Sequence, residues 1–488
     1  MIMTSLEELV AGFRPPRPVS AEEVREAIID AGLEQVLVVL DDDPTGTQSV
    51  AGLPVLTGWE ADDFRWAFSQ SAAAIYVMTN SRSLAPDTAE AVTREVVTTA
   101  VDVARQMGIN PVFVSRSDST LRGHFPLETR VITAASGQQV DGIILIPAFD
   151  EAGRVTVGGV HYCRVGQDYL PVGETEFAKD ATFGYRASRL AEWVEEKTEG
   201  AVRADDVVLI GLDTLRGEPD AVRDAVMALK DGAVLTADIV TEEDLRALSL
   251  ALISAEGAGK RFVYRVGPPF VRARIGQEKH APVSPAEIEE ARRWAGAPHQ
   301  EPLPHGLVVV GSHVGVTQRQ LTHLKENVAA TVLEVEVAKV VDTAQRDAHL
   351  QDLIDQAVAA LDSGSVIVQT SRTLVTGADG HSSLDISRQV SAAVVAVVHG
   401  ILSRRAPAFV LAKGGITSSD VASKGLEIRH GLAVGPMLPG IVSLWVAQDG
   451  PARGIPYIVF PGNVGDDASL TAVVKRLQGA ADAVAPAR

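Results

Sequence analysis

The sequence VLVVLDDDPTGT at residues 36–47 joins five apolar residues to three carboxylates and a turn. Five apolar residues without alternation predict a strand that is buried on both faces of a parallel sheet. Asp41, Asp42 and Asp43 then follow the carboxyl end of the strand, where open α/β sheets bind their ligands. Since adjacent carboxylates repel one another, they need a cation, ligand hydroxyls or backbone amides as partners. The stretch therefore indicates a polar-ligand site, and a helix cap or a solvated turn is the alternative interpretation.

Apolar strands alternate with helices through the first part of the chain. Pro86 to Met107 has the spacing of an amphipathic helix, and further strands are predicted at residues 74–78, 111–114, 142–146, 207–210 and 233–236. Strands that are separated by helices predict a mostly parallel sheet. The predicted fold class is therefore α/β.

A proline-rich segment divides the chain into two predicted domains. A chain of 488 residues is too long for one hydrophobic core. The segment 297–306 contains three prolines and a glycine, directly before the apolar run Leu307 to Val310. We therefore predict domains at 1–295 and 307–488, joined by a linker at 296–306, each built on a mostly parallel sheet flanked by helices. Ile288 to Trp294 is interpreted as part of the helix that closes the first domain.

Composition and charge limit the classes of partner. A net charge of −19 argues against nucleic acid or an anionic membrane as the main partner. The single cysteine, Cys163, excludes an internal disulfide framework and a cysteine-cluster metal site. The first residues lack the basic and apolar regions of a signal peptide, and the longest apolar helical stretch, Val390 to Leu402, is too short for a bilayer. We expect a cytoplasmic protein without a membrane partner, and a homo-oligomer is compatible with the sequence.

Two further polar loops follow predicted strands of the first domain. Residues 115–124 contain Arg116, Asp118, Ser119 and Arg122. Arginines bind carboxylates bidentately, while acids and hydroxyls bind the hydroxyls of a ligand, so this mixture fits a polyhydroxy acid. Residues 80–83, which include Arg82, add a third loop to the same edge of the sheet. The alternative for the second loop is a helix cap with surface arginines.

The second domain has three connections of strand, glycine loop and helix. They lie at residues 311–318, 413–420 and 461–467. Glycines let the backbone approach a ligand closely, and a helix amino terminus favours phosphate. A plain strand-to-helix connection is the alternative for any one of them. Neither a P-loop nor the three-glycine dinucleotide fingerprint is present in the sequence.

The motifs, taken in order, resemble those of the four-carbon acid sugar kinases, which phosphorylate tetronates with ATP. The matching segments are Asp42 to Gly46, Asp118 to Gly123, Gly311 to Thr317, Gly414 to Thr417 and Pro461 to Gly465. The resemblance covers nearly the whole chain from about Val36. It implies a sugar-acid-binding domain followed by an ATP-binding domain, with the active site in the cleft between them. It also implies ATP contacts at Ser312, Gly414, Gly415, Ile416, Thr417, Gly462 and Asn463.

This resemblance predicts a kinase for a hydroxyl of a short sugar acid such as a threonate, an erythronate or a 3-oxo-tetronate. The expected cofactors are ATP and Mg²⁺, because Mg²⁺ neutralises the phosphate oxygens in phosphoryl transfer. Asp42 is the candidate that orients or deprotonates the reacting hydroxyl. The predicted substrate-binding residues are Asp41, Asp43, Arg82, Arg116, Asp118, Ser119 and Arg122. Of these, Arg116 and Arg122 are expected on the carboxylate of the acid, and Asp118 and Ser119 on its hydroxyls. Alternatively, Asp41 to Asp43 ligate Mg²⁺, and no metal ligand is assigned.

Two other classes of function fit part of the sequence. A non-catalytic sugar-acid-binding protein would need the loops of the first domain but not three phosphate-type turns. A dinucleotide-dependent hydroxy-acid oxidoreductase would act on similar substrates, although the fingerprint glycines are missing. Binding of ATP separates the first alternative from a kinase, and binding of a reduced nicotinamide would indicate the second.

Overall fold

The computed structural model describes residues 4–296, 300, 302–312, 314–371, 380–462 and 464–479. These residues form two compact units. One unit comprises the chain up to Pro54 together with Trp59–Lys279, and the other comprises Val55–Gly58 and the chain from His280 onward.

The first unit is built on a parallel sheet with the strand order β9-β10-β5-β11-β4-β1-β3. The strands that precede Lys279 in the chain are β1 (Gln35–Asp41), β2 (Leu53–Leu56), β3 (Ala74–Met78), β4 (Asn110–Arg116), β5 (Gly142–Ile146), β6 (Arg154–Val157), β7 (Val160–Val165), β8 (Asp168–Pro171), β9 (Val208–Ile210), β10 (Ala233–Ala237) and β11 (Phe262–Val266). β1 lies between β3 and β4, and Asp41 is in register with Met78 and with Arg116. The three polar loops predicted from the sequence therefore leave neighbouring strands at the same edge.

Helices accompany these strands along the first unit. They are α1 (Leu6–Leu9), α2 (Ala21–Asp30), α3 (Ala61–Ser69), α4 (Pro86–Met107), α5 (Leu127–Ser136), α6 (Leu190–Lys197), α7 (Leu212–Leu215), α8 (Pro219–Met227), α9 (Glu242–Gly257) and α10 (Pro269–Arg274). α4 has the predicted bounds, because Pro86 suits the first helical turn and Gly108 ends the helix with a φ of 69°. Its buried face includes Ala89, Val96 and Val103.

A small antiparallel sheet, β6-β7-β8, stands apart from the parallel sheet of this unit. The sequence analysis does not predict it, because its strands are short and have no helices between them. Val155, Val157 and Tyr169 bury one of its faces in a cluster that also contains Leu212 and Val240. This packing fixes the small sheet to elements of the first unit.

The second unit has the strand order β13-β14-β12-β15-β18-β17-β16, in which β17 pairs antiparallel with both of its neighbours. Its strands are β12 (Leu307–Val310), β13 (Ala330–Val335), β14 (Ser365–Thr370), β15 (Val410–Lys413), β16 (His430–Leu438), β17 (Val442–Ala447) and β18 (Pro456–Phe460). Its helices are α11 (Pro285–Ala295), α12 (Gly315–Asn327), α13 (Val337–Val341), α14 (Arg346–Leu361), α15 (Gly380–Leu402), α16 (Gly415–Asp420) and α17 (Ser469–Leu477). The prediction of two mostly parallel sheets flanked by helices is confirmed.

The position of α11 differs from the predicted domain limit at residue 295. Ile288, Ala291 and Ala295 are buried in one cluster with Val308 and Phe409. The helix therefore packs in the second unit rather than closing the first, and the contacts change units between Lys279 and His280. Across the described ranges, no helix combines the length and the apolar character that a membrane span requires.

Candidate functional site

The acidic loop after β1 is folded tightly over a buried ion pair. Asp41 pairs with Arg116, and both side chains are almost completely buried. A Cβ atom on Gly46 would lie 2.1 Å from Oδ2 of Asp41, so glycine is needed for the turn to pass this close. Asp43 fixes the same turn, because its Oδ1 accepts hydrogen bonds from the amide of Thr45 at 2.9 Å and from its hydroxyl at 2.6 Å.

Arg82 connects the three loops that leave β1, β3 and β4. It lies on a short 3₁₀ helix, Ser81–Ser83, and forms an ion pair with Asp43. Its Nη1 is 3.8 Å from Oδ1 of Asp42 and also 3.8 Å from Oδ1 of Asp118. One cation therefore holds three of the predicted acids at the same edge of the sheet.

Asp42 has the properties of a base that works near neutral pH. Its side chain is buried, and neither of its carboxylate oxygens has a hydrogen-bond partner among the residues that the structure describes. Burial, together with the negative charges of Glu128 and Asp43, raises the pKa of Asp42 to about 7, although Arg82 and Arg265 oppose the rise. A carboxylate with this pKa can accept a proton at an operating pH close to 7.

Asp118 differs from Asp42 although it is also shielded from solvent. Burial by itself would raise the pKa of Asp118, but the positive charges of Arg82 and Arg122 hold that pKa well below its usual range. Asp118 therefore stays ionised as an acceptor. Two acids of one site are thus given opposite proton affinities by their neighbours.

Arg122 remains partly open to solvent, unlike Arg116. Its Nε donates to Oδ2 of Asp118 at 2.6 Å, and its Nη1 is 3.6 Å from Oδ2 of Asp180. The guanidinium carbon lies 5.1 Å from the centre of the Phe177 ring. The side chain of Arg122 is 26% exposed, whereas that of Arg116 is 3% exposed. Of the two predicted carboxylate-binding arginines, Arg122 is the accessible one.

The loop that carries Asp118 and Ser119 is supported by residues that the sequence analysis did not identify. Nε2 of His161, on β7, lies 2.8 Å from the carbonyl oxygen of Ser119. Burial lowers the pKa of His161 to about 4, so the imidazole is neutral and donates this hydrogen bond from Nε2. The hydroxyl of Tyr185 donates to the carbonyl oxygen of Thr120 at 2.5 Å. Neither residue belongs to a motif, so the sequence gives no signal for them.

A buried polar network lies behind the acidic loop. Glu128, on α5, accepts hydrogen bonds from the hydroxyl of Ser81 at 2.5 Å and from that of Ser115 at 2.8 Å, and it pairs with Arg265. Arg265 also donates to the Ser115 hydroxyl at 2.8 Å. The network ties β4, α5 and β11 to the loop after β3.

In the second unit, three predicted ATP-binding loops meet. Oγ1 of Thr317 donates to Oγ of Ser312 at 3.1 Å and to the carbonyl oxygen of Gly462 at 2.9 Å. A Cβ atom on Gly311 would lie 2.1 Å from Oγ1 of Thr417. A Cβ atom on Gly414 would be 3.4 Å from Cβ of Ser312. Gly415 begins α16, which also contains Ile416, whereas Asn463 lies outside the described residues. Lys413, which has no role in the sequence analysis although it directly precedes the paired glycines, lies beside these loops.

An acidic cluster elsewhere in the first unit is not among the predicted site residues. Ligand atoms of Asp150, Glu151 and Glu242 lie within 4.8 Å of one another. Arg272 pairs with Glu151 at 2.7 Å and with Glu242 at 2.5 Å, and Lys279 pairs with Asp150 at 2.9 Å. These two cations already compensate the charge that a metal ion would neutralise.

Comparison with known domain families assigns a type to each half of the chain. Residues 37–274 match the sugar-binding N-terminal domain, and residues 307–470 match the nucleotide-binding C-terminal domain. No curated protein matches the chain.

Solved structures with the same fold come from several bacteria. A Salmonella typhimurium LT2 protein, provisionally named a tRNA synthase, is 18% identical, with 89% of this chain and 98% of that chain covered and a TM-score of 0.62. A Haemophilus influenzae protein of the DUF1537 family is 17% identical, with 91% and 99% covered and a TM-score of 0.60. At these identities the similarity supports the fold alone. Because the two domain matches cover most of the chain in this order, the chain belongs to the four-carbon acid sugar kinase family.

Proposed function

We propose that this protein is an ATP-dependent kinase that phosphorylates a hydroxyl of a short sugar acid. A four-carbon acid such as a threonate, an erythronate or a 3-oxo-tetronate is the substrate that we favour. The observation that carries the proposal is Asp42, whose buried carboxylate has no hydrogen-bond partner within the described ranges and lies beside Arg82, which also contacts Asp118. The other half of the chain matches a nucleotide-binding domain, which would bind ATP as the phosphoryl donor.

Asp42 is proposed as the residue that orients the reacting hydroxyl and accepts its proton. Phosphoryl transfer depends mainly on positioning and on charge stabilisation. The raised pKa of Asp42, caused by burial and by Glu128 and Asp43, lets it take a proton that an ordinary carboxylate would bind poorly at pH 7. Arg116 and Arg82 lie 3.4 and 3.8 Å from its Oδ1, but no described residue donates a hydrogen bond to its carboxylate, so a substrate hydroxyl could do so.

We propose different roles for Arg122 and Arg116 at the acid-binding site. Arg122 keeps donors for the substrate carboxylate, because only its Nε is used by Asp118 at hydrogen-bond distance. Arg116 instead neutralises Asp41 and thereby holds the loop that presents Asp42. Asp118 and the Ser119 segment then bind hydroxyls of the same substrate.

The converging loops of the second unit are proposed to bind ATP. Thr317 bonds both Ser312 and Gly462 there, and Gly414 and Gly415 carry no side chain that would block a phosphate. When Mg²⁺ is bound with ATP, it neutralises the β and γ phosphate oxygens. We assign no residue of the chain as its ligand.

A screen for ADP release tests the proposal. The purified protein is mixed with ATP and each of a set of three-carbon to six-carbon sugar acids, with and without Mg²⁺. We expect ADP above the ATP-only blank for a short polyhydroxy acid and only with Mg²⁺ present. A protein that binds both ATP and a sugar acid but releases no ADP would be a binding protein rather than a kinase.

A further inference from the structure

Lys413 places a buried ammonium group beside the converging loops of the second unit. It is the last residue of β15, and its side chain is fully buried. Its Nζ donates to the carbonyl oxygen of Pro461 at 2.7 Å and lies 3.4 Å from that of Gly462. Nζ is also 4.0 Å from the centre of the Phe460 ring. These contacts place the charge directly behind the Pro461–Gly462 turn.

Within the described part of the chain, no carboxylate neutralises this ammonium group. The acid of α16, Asp420, pairs with Lys424 and accepts a hydrogen bond from Ser391. Beyond β18, Asp467 pairs with Arg319, and Asp466 accepts from Ser469. In the adjacent strands, the register partners of Lys413 are Val310 and Phe460, which carry no charge. Carbonyl dipoles and an aromatic face therefore stabilise the charge incompletely.

An anion on the open side of the loops would supply the missing counter-charge. Ser312, Thr317 and Gly462 lie around this position, because the Thr317 hydroxyl donates to Oγ of Ser312 and to the carbonyl oxygen of Gly462. A Cβ atom on Gly462 would lie 2.8 Å from Oγ of Ser312. Only a glycine fits at position 462, so the backbone of this turn packs closely against Ser312 on one side and lies next to the ammonium group of Lys413 on the other. Phosphate groups match both the charge and the small space.

We propose that Lys413 is the positioning residue that provides the positive charge for the nucleotide phosphates, and that binding of the nucleotide keeps it protonated. In this proposal Lys413 acts through the Pro461–Gly462 turn, because its Nζ donates to the carbonyl oxygen of Pro461. This inference rests on the proposed nucleotide site of the kinase. It adds Lys413 to the residues of that site and predicts that nucleotide binding is coupled to protonation of Lys413.

The electrostatics of the unliganded protein support this role. Burial lowers the pKa of Lys413 to about 7, and no charged neighbour contributes to the shift. At a pH of about 8 the free protein therefore holds Lys413 mostly neutral. A bound polyphosphate raises the pKa again, because an adjacent negative charge favours the charged form of a lysine. Binding then takes up about one proton at that pH.

Titration calorimetry measures this proton directly. The parent is titrated with adenosine 5′-(β,γ-imido)triphosphate and Mg²⁺ at about pH 8 in Tris and in HEPES, whose different ionisation enthalpies reveal proton uptake. The variants are Lys413→Met, which removes the charge, and Lys413→Arg, which keeps a charge that does not titrate. Lys424→Met is the control, since Lys424 is an exposed lysine of the same segment. Thermal unfolding of each variant verifies that it is folded.

We expect proton uptake by the parent and by the Lys424 variant but not by the two Lys413 variants. Lys413→Met should also weaken nucleotide binding by roughly tenfold or more, while Lys413→Arg should bind more tightly than Lys413→Met. Binding by the parent without proton uptake overturns this inference alone, as does uptake that persists in folded Lys413→Arg. A parent that does not bind the nucleotide at all overturns the proposed kinase and this inference with it.

Discussion

The Arg265 guanidinium and the Glu128 carboxylate form an ion pair whose side chains are 2% and 6% exposed. The pair lies behind Asp42, and the two charges act on the pKa of Asp42 in opposite directions. Glu128 is further bonded to hydroxyls on two other elements of the first unit. The proton affinity of Asp42 therefore depends on a buried network that extends over other elements of the first unit.

Removal of one charge from this pair should destabilise the protein. Arg265→Met leaves the Glu128 carboxylate buried without its cation, which should lower the free energy of unfolding by about 3 to 5 kcal/mol. Urea denaturation measures the change. Arg65→Met is a matched control, because Arg65 belongs to an exposed pair with Asp62 that should contribute about 1 kcal/mol or less.

The double variant Arg265→Met/Glu128→Gln should recover part of that loss, since no unpaired charge then remains buried. Equal denaturation midpoints for the parent and Arg265→Met would show that the pair has no structural role.

Asp42→Asn should lower turnover of the sugar acid by on the order of a hundredfold, with a small change in KM, because the variant loses the proton acceptor. A base must be deprotonated to act, so kcat/KM of the parent should fall as the pH decreases through about 7, the raised pKa of Asp42. The Asn variant should lack this acidic limb. Steady-state kinetics over a pH series measure both effects.

The control for Asp42 is Asp87→Asn, an exposed acid in the first turn of α4. It should retain the turnover and the pH profile of the parent. If Asp42→Asn changes only KM, or keeps the acidic limb, Asp42 is not the base.

Arg116 and Arg122 should give different defects although both are arginines of one loop. Arg122→Ala should raise KM for the sugar acid, by on the order of 2 kcal/mol of binding free energy or more, with little change in stability. Arg116→Met should instead lower the free energy of unfolding by about 3 kcal/mol or more, because Asp41 loses its buried partner. Kinetics and urea denaturation of both variants separate the two roles. An unchanged KM in Arg122→Ala would contradict our assignment of the carboxylate contact.

Gly311→Ala should weaken nucleotide binding without preventing folding. A Cβ atom there would lie 2.1 Å from Oγ1 of Thr417, so the Thr417 side chain must move and the Gly311 and Gly414 loops must separate. Calorimetry with MgADP measures the effect, and binding of the sugar acid should be preserved. Gly364→Ala is the control, because the nearest atom to its added Cβ would be 3.9 Å away. Equal nucleotide affinity in both variants would indicate that Gly311 belongs to a plain structural connection.

The parallel strands were predictable because burial on both faces leaves a continuous apolar run in the sequence. β5 (Gly142–Ile146) has the predicted bounds for this reason, and β1 differs from its prediction by one residue at each end. The antiparallel strands β16 and β17 were not predicted, because their place depends on pairing with each other rather than on a helix between strands. The unit to which α11 belongs depends on contacts with Val308 and Phe409, which local composition does not reveal.

The sequence predicted which residues form the site but not which of their side chains pair with one another. Polar residues at strand ends indicate where a ligand binds, and the loops of Asp42, Arg82 and Asp118 do meet. Arg116 and Arg122 have the same chemistry, but the register of β4 against β1 places Arg116 opposite Asp41, whereas Arg122 lies beyond the strand and pairs with Asp118 and Asp180. Lys413 had no recognisable signal, since its burial depends on β18, far away in the sequence.

The hydrogen bonds from His161 and Tyr185 have a consequence for how this enzyme family can diversify. The small sheet and the segment that follows it support the loop of Ser119 and Thr120, and Phe177 and Asp180 from that segment lie beside Arg122. Asp42 instead follows β1 of the parallel sheet, and the charges of Glu128 and Arg265 act on its pKa. With the roles that we propose for Arg122 and Asp42, substitutions in residues 154–185 would reshape the space around the acid's carboxylate and leave the surroundings of the base unchanged. The proposed determinants of substrate preference and of reactivity thus lie on separate parts of the first unit.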